Sequence, residues 1–183
     1  MATKSFLFNS VEVRLVPFRG QDVHPVTGIA FYVSNDGKYG VRVYPNGRKV
    51  LVNPNRVKWS GKHGRAEYHQ FSHAWGQQIC IQTSHAVYLA WRNKPIEPGM
   101  TIDHIDGCTT NNDYRNLRQV SNLVNNRDGA FLRKLKKVGI DPTQYSRWMI
   151  LRYYRRMAKF KETHTAKEYK NLSVEQLKHI LYL

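Results

Sequence analysis

The sequence predicts an α+β protein with antiparallel β-hairpins at its N-terminus, a mixed centre and a basic helical C-terminal region. Before residue 80, runs of alternating apolar and polar residues are separated by Asn-Gly and Asp-Gly turns. Residues 102–126 crowd Asp, His and Asn into one window, and beyond Gly129 helical propensity comes with many Lys and Arg residues. We therefore predict three regions, at 1–78, 79–128 and 129–183.

Composition favours a folded protein with a polyanionic partner. The 183 residues are 41% hydrophobic and 23% charged, with a formal net charge of +16 and a pI of about 10.0. Nucleic acid is the commonest partner of so basic a domain, although a ribosomal or chromatin-like binder without chemistry would have the same charge. No apolar run approaches the roughly 20 residues that span a bilayer. With only Cys80 and Cys108, no disulfide framework is expected, and a reduced cytoplasm fits.

The N-terminal region predicts a β-meander. Strands are predicted at 11–16, 29–34, 39–44 and 48–52, with tight turns at 35–37 and 45–47. The cations Arg42, Arg48 and Lys49 are available there to contact phosphates.

A loop and a second hairpin are predicted next. Residues 53–64 have loop composition, and 66–73 and 77–82 predict two strands with a bend near Trp75 and Gly76. A zinc site could be considered from His63, His69, His73 and Cys80. Structural zinc usually takes Cys-rich ligand pairs, which are missing here, so we expect ordinary strand residues and no structural zinc.

Residues 84–128 predict helix, strand, polar loop, strand and helix. Ser84 is a suitable N-cap for a helix over 85–91, and His85 in its first turn is either a core-edge residue or part of a site. Strands are predicted at 100–105 and 117–120, around a loop at 106–115. Ser121 then caps a helix to about Asp128. Packing that helix across the first strand would gather Asp103, His104 and Asn125 over one groove.

The sequence of the C-terminal region predicts basic helices at 131–138 and 142–160, followed by a break at 161–164. A capping box of Ser173 and Gln176 predicts the start of a last helix, which runs to Leu183. Trp148 and Leu151 are expected to pack on the core. The candidate phosphate contacts are Arg133, Lys134, Lys136, Lys137, Arg152, Arg155, Arg156 and Lys159. Solvated helix faces are the alternative, but so much like charge favours a bound polyanion.

The residue types of the 102–126 window suit phosphodiester hydrolysis. That reaction needs an activated water, neutralisation of phosphate charge and help for the departing alkoxide. A neutral imidazole can take the proton from water, while a carboxylate and an amide oxygen can hold a hard cation such as Mg²⁺. We therefore predict a metal-dependent phosphodiesterase.

The order of these residues resembles the HNH endonuclease family, in particular phage and intron-encoded homing endonucleases with a ββα-metal core. The similar segments are 84–91, 102–107, 111–112, 116–118 and 122–126, within about 81–128. Residues 31–37 are similar to a hairpin often found before that core.

The resemblance implies specific roles. His104 would be the general base, Asp103 a metal ligand and Asn125 the second protein ligand, while Asn116 would hold the imidazole. His85, Asp106 and Asn112 would support the site, and Arg118 is a further candidate DNA contact. One Mg²⁺ or Mn²⁺ ion is implied, with double-stranded DNA as substrate and a 5′-phosphate and a 3′-hydroxyl as products. A phage-encoded monomer acting in the cytoplasm of a bacterial host is expected.

Two departures and two alternatives accompany this interpretation. Cys108 stands where the family usually has a polar residue, and the zinc knuckle of some subgroups is absent. Adjacent strand residues face opposite ways, so Asp103 and His104 can serve one site only if the strand twists or ends there. A DNA-binding protein whose nuclease core has lapsed and an RNA-cleaving HNH-like enzyme are the alternatives.

Overall fold

The computed structural model describes residues 4–17, 20–25, 27–53, 55–57, 65–71, 78–137 and 139–181, and gives no side chains for 54–80 and 181. Its strands and helices confirm the predicted α+β class. The chain forms two compact units. The first unit comprises the described residues of 1–104 and 109–119, and the second unit those of 105–108 and 120–181. The division into three regions, at 1–78, 79–128 and 129–183, therefore stays a prediction.

The main sheet of the first unit is the predicted meander. Its five antiparallel strands follow chain order: β1 Ser5–Phe8, β2 Val11–Leu15, β3 Ala30–Ser34, β4 Gly40–Val43 and β5 Lys49–Val52. Strand β1 was not predicted. Asn9 and Ser10 form its turn at positive φ (49° and 65°), so the hairpin lacks the glycine signal that marks the other turns.

A three-stranded sheet follows, with β6 Asn55–Val57, β7 Arg65–Phe71 and β8 Gln78–Gln82 in the order β6-β7-β8. The predicted second hairpin is confirmed by the antiparallel pairing of β7 with β8. Residues 53–64 were predicted to form a loop, but Asn55–Val57 form strand β6, so the prediction is wrong for these three residues. The bend at Trp75 and Gly76 and the side chains considered for zinc (His63, His69, His73 and Cys80) lie outside the described residues.

Helix α1, Thr83–Arg92, follows β8 directly. The Ser84 cap is wrong: the N-cap residue is Gln82, which makes no side-chain cap, and Ser84 lies buried inside the first turn. The helix ends at Asn93, which adopts the left-handed conformation. Its buried Ala86 and Val87 pack in a core with Val33, Ile102 and Leu117, and this core fixes the elements that hold the candidate site.

Strands β9, Met100–His104, and β10, Leu117–Ser121, pair in a two-stranded sheet. The intervening polar loop ends in a 3-10 turn at Tyr114–Asn116. Strand β9 ends at His104, as the sequence analysis required for Asp103 and His104 to serve one site.

The second unit is helical, with α2 Asn122–Lys137, α3 Arg147–Thr163, α4 Ala166–Asn171 and α5 Val174–Leu181. The Ser121 hydroxyl accepts a hydrogen bond from the amide of Val124 at 3.4 Å, as predicted for the start of α2. The predicted end near Asp128 is wrong, because α2 continues through Gly129. Phe131, Leu132 and Leu135 on its later turns are buried in the helical core, and this burial offsets the weak helix propensity of glycine.

Helix α3 begins later than predicted. Ser146 is its N-cap and accepts from the amide of Met149, while Pro142–Gln144 form a short 3-10 turn. The helix also extends to Thr163, past the predicted break. Helix α4 was not predicted, although Thr165 and Glu168 form a complete capping box at its start.

The capping box predicted for α5 is confirmed, since Ser173 and Gln176 exchange hydrogen bonds of 2.9 and 3.1 Å. Among the described residues, no helix is long and apolar enough to cross a membrane.

Candidate active site

His104 lies at the end of β9 with its imidazole held by Asn112. The Nε2 atom of His104 is 3.1 Å from Oδ1 of Asn112, whose side chain is buried with 7% of its surface exposed. With the amide oxygen as acceptor, Nε2 carries the ring proton and Nδ1 keeps a lone pair. This tautomer leaves the imidazole able to accept a proton at Nδ1.

The turn between β3 and β4 supports the loop that carries Asn112. Gly37 has a φ of +71°, and a Cβ atom there would lie 2.4 Å from Cγ2 of Thr83 and 3.3 Å from Cβ of Asn112. The amide of Tyr114 also donates to the carbonyl of Asn35 at 2.9 Å. Only glycine allows this close approach at this backbone angle. The sequence signal was the Asp-Gly turn, which predicted the hairpin but not its contact with the site loop.

Asp103, one residue before His104, is paired with Arg118 of β10. The Nε and Nη2 atoms of Arg118 donate to Oδ2 of Asp103 at 2.9 and 2.7 Å, and the side chains are only 18% and 14% exposed. Such a charge-assisted pair fixes the carboxylate. In the structure the Arg118 guanidinium holds the predicted metal ligand, and the predicted DNA contact of Arg118 stays a prediction.

The loop before β10 is stabilised by its own side chains. Asn116 donates from Nδ2 to the carbonyl of Asn111 at 2.9 Å. Asp113 accepts from the backbone and side chain of Arg115, and the hydrogen bond from the guanidinium lowers the pKa of Asp113. An amide partner for the imidazole was predicted at Asn116. The partner observed at 3.1 Å is Asn112, predicted only as a supporting residue.

Asp106 belongs to the second unit and shapes the turn after β9. Its side chain is 7% exposed, and Oδ1 accepts from the amide of Cys108 at 2.7 Å. Gly107 has a φ of +70°, and a Cβ there would approach Cδ1 of Leu132 to 2.6 Å. The Tyr154 hydroxyl donates to the carbonyl of Ile105 at 2.8 Å. The Asp-Gly pair therefore has a structural role within the second unit.

Two further predicted site residues lie on helices. His85 is the third residue of α1 and half-buried in the first unit. Asn125 is the fourth residue of α2 and half-buried in the second unit. Their roles stay predictions.

The two predicted metal ligands are of the chemical type that a hard divalent cation prefers. Among the described residues, no group of three or more His, Cys, Asp or Glu could hold a metal ion. Mg²⁺ needs no such group, because it is usually held by one or two protein oxygens together with water and substrate phosphate. The Asp103 carboxylate and the Asn125 amide are oxygen donors of that kind.

The predicted DNA contacts differ in how they are engaged. The Arg48 guanidinium lies 4.4 Å from the Tyr44 ring centre, and the Lys49 ammonium lies 4.2 Å from that of Phe6. Lys134 donates to the carbonyls of Tyr169 and Lys170 at 2.7 and 3.2 Å, and burial lowers its pKa. Arg42 and Arg156 are half-buried, whereas Arg133, Lys136, Lys137, Arg152, Arg155 and Lys159 are exposed.

Comparison with known proteins bears on the same segment. A family model described as HNH endonuclease matches residues 85–127. No curated protein matches the chain. One similar solved structure is entitled "DNA binding and cleavage by the HNH homing endonuclease I-HmuI", with 23% identity and a TM-score of 0.41. The match covers 59% of this chain and 59% of that one, so the chain spans about three-fifths of that structure's length.

The family match begins at His85 and includes Asp103, His104, Asn112, Asn116 and Asn125. The resemblance predicted from the spaced motif is thereby confirmed over these residues. Residues 85–127 of this chain are similar to the HNH endonuclease family.

Proposed function

We propose that this protein is a metal-dependent endonuclease that hydrolyses double-stranded DNA. One observation carries the proposal: within the segment similar to HNH endonucleases, Nε2 of His104 lies 3.1 Å from Oδ1 of Asn112, and a hydrogen bond donated by Nε2 leaves Nδ1 as a proton acceptor. The neighbouring Asp103 carboxylate is held by Arg118. A base and a fixed carboxylate side by side are the protein groups that phosphodiester hydrolysis needs.

His104 is the general base of the proposed reaction. Its Nδ1 atom takes a proton from water, and the water oxygen forms a bond to phosphorus. The bond from phosphorus to the 3′ oxygen breaks, and that oxygen takes a proton from solvent to become a hydroxyl. The products are a 5′-phosphate and a 3′-hydroxyl. Asn112 keeps the imidazole in the required tautomer throughout, because its amide oxygen accepts only from a protonated Nε2.

Asp103 and Asn125 are the protein ligands that would hold one Mg²⁺ or Mn²⁺ ion, in a ββα-metal core. A bound divalent ion neutralises charge on the phosphate and on the leaving oxygen. Arg118 positions Asp103 in this proposal. Its two hydrogen bonds to Oδ2 fix the orientation of the carboxylate.

The basic surface supports DNA as substrate. The net charge of +16 and the exposed cations of α3 suit a polyphosphate. A monomer encoded by a phage and acting in the cytoplasm of its bacterial host completes the proposal. Two alternatives are tested against this proposal. One is a protein that binds DNA but has lost nuclease activity, and the other is an enzyme that cleaves RNA.

The test uses supercoiled plasmid incubated with the full chain, with and without Mg²⁺. Nicked or linear product that forms only with metal supports the proposal. Binding without cleavage at any metal concentration would mean a lapsed nuclease.

The matched control is His179→Ala, which removes an exposed histidine from α5. It should cut like the wild type, whereas His104→Ala should not. If the protein hydrolysed RNA faster than duplex DNA, the substrate would be RNA and not double-stranded DNA.

A further inference from the structure

Helix α3 presents an exposed aromatic and basic stripe opposite its buried face. Ile150, Tyr153, Tyr154 and Met157 are each at most 4% exposed and pack in the helical core. Trp148, Arg152, Arg155 and Lys159 follow the i, i+4, i+7, i+11 spacing of one helix face, which lies opposite those core residues. We call these four residues the α3 stripe.

Trp148 is the unexpected member of the α3 stripe. Sequence reasoning predicted that it packs on the core, and this is wrong, because 73% of its surface is exposed. Leu151 does pack against the core, as predicted. A tryptophan that contributes so little to the core leaves a large flat apolar surface in water. Beside arginine side chains, such a surface suits nucleobase stacking.

The charges of the α3 stripe match a nucleic acid strand. From Arg152 to Lys159 the helix rises about 10 Å, close to the length of about three nucleotides at roughly 3.4 Å each. The Arg147 guanidinium lies 5.8 Å from the Trp148 ring centre and adds positive charge beside the indole. Glu162, also exposed, lies farther along the same face and ends the basic stretch.

We propose that Trp148 stacks on an unpaired nucleobase of bound DNA while Arg152, Arg155 and Lys159 neutralise phosphates of the same strand. The inference rests on the proposed function only in assuming that the protein binds DNA. It divides the contribution of the α3 stripe to DNA affinity into two parts that can be measured separately. The cations give affinity that depends on salt, and the indole gives affinity that does not, because stacking releases no counterions.

The experiment measures binding to a short duplex with a single-stranded overhang in EDTA, so that no cleavage occurs, over a series of salt concentrations. Trp148→Ala should weaken binding about 5- to 150-fold, the range for loss of one stacked base, with an unchanged salt slope. Trp148→Phe should bind nearly as the wild type, since it keeps an aromatic ring. Met149→Ala is the matched control: it removes a 40% exposed apolar side chain from the same turn but off the α3 stripe.

Tryptophan fluorescence provides an independent reading of the same contact. DNA should quench emission of the wild type, and Trp148→Phe should lose that quenching although it still binds. The sequence has four tryptophans, so the difference between the two proteins isolates Trp148. This comparison does not depend on the folding of Trp148→Ala.

Three results would overturn the inference: unchanged affinity of Trp148→Ala, an equal loss in Met149→Ala, or quenching that persists in Trp148→Phe. A dimeric wild type that Trp148→Ala converts to monomer, with DNA affinity retained, would instead assign the α3 stripe to contact between two copies. If the wild type binds no DNA at all, the proposed function fails as well. If the wild type binds DNA and Trp148→Ala binds it equally well, this inference is overturned and the proposed function is not.

Discussion

The two units carry equal net charge and use it in different ways. The sequence of the first unit has 15 Lys and Arg against 7 Asp and Glu, and that of the second unit has 14 against 6, so each carries +8. Ion pairs in the described residues include Arg118 with Asp103 in the first unit and Arg127 with Asp128 in the second. The second unit is also much the shorter, so its charge is denser.

The difference shows in the placement of individual arginines. Arg118 in the first unit is 18% exposed and holds Asp103. Arg152 and Arg155 in the second unit are exposed on a helix whose opposite face is buried. A cation that is buried and paired fixes geometry, whereas an exposed one remains available to phosphate. His104 and the Asp103–Arg118 pair of the first unit are therefore expected to control cleavage, and the exposed cations of the second unit affinity for DNA.

The largest effect is expected from breaking the Asp103–Arg118 pair. Arg118→Ala leaves a mostly buried carboxylate without its cation, and such losses typically cost about 3–5 kcal/mol of stability. Metal affinity should also fall, because the carboxylate is no longer oriented. Chemical denaturation and calorimetric titration with Mn²⁺ measure the two effects.

Arg115→Ala is the control, since it removes an exposed arginine paired with Asp113 in the same loop region. It should leave Mn²⁺ affinity unchanged. Unaltered Mn²⁺ affinity in Arg118→Ala would show that Arg118 does not position Asp103.

A smaller loss is expected at the turn that supports Asn112. Gly37→Ala places a Cβ 2.4 Å from Thr83 at a φ of +71°, so the turn must shift. Strain of this kind costs about 1–3 kcal/mol. Cleavage should slow more than DNA binding, because the shift reaches the loop that holds His104. Thermal unfolding and single-turnover cleavage measure both effects.

Gly47→Ala provides the matched control, because Gly47 has a similar φ of +80° but no atom within 4 Å of an added Cβ. It should lose some stability from the backbone angle and cut at the wild-type rate. If Gly37→Ala and Gly47→Ala slowed cleavage equally, the turn at 35–37 would have no specific role in supporting the site.

The smallest effect concerns the pH dependence of stability at Asp113. Arg115 lowers the pKa of this carboxyl in the folded state, so the ionised form stabilises the fold. That contribution is present above the unfolded-state pKa and is lost as the pH falls through the folded-state value. Asp113→Asn should therefore be less stable than the wild type at neutral pH, and the difference should vanish in acid. A difference that is constant with pH would contradict this assignment.

Local patterns predicted much of the fold. The glycine-marked turns gave the meander, and the Ser-x-x-Gln box located the start of α5. The errors have tertiary causes. Core packing carries α2 through Gly129, and a turn of Asn9 and Ser10 makes β1 without glycine. The identities of the site residues could be read from their spacing, but the partners could not, because Asn112–His104 and Arg118–Asp103 depend on how separate segments meet.

The structure also changes how the basic region can be tested. Truncation after Gly129 is the simplest way to remove the predicted basic region. That cut would divide α2 and uncover Ile105, which follows His104 and is fully buried in the core with Phe131 and Tyr154. Substitution of exposed charges avoids this damage. Arg152 and Arg155 are better choices than Arg156, which is half-buried.

The most direct test measures binding and cleavage of one duplex in parallel for His104→Ala and for the double variant Arg152→Glu, Arg155→Glu. His104→Ala should bind like the wild type in EDTA and, with Mg²⁺, cut about 10²–10⁴-fold more slowly, the usual cost of losing a general base. The double variant should bind more weakly at low salt, with a salt slope smaller by roughly 0.9 for each lost contact, and should cut at the wild-type rate once saturated. Wild-type cleavage by His104→Ala, or unchanged affinity and slope in the double variant, would contradict the division of roles between His104 and the exposed arginines of α3.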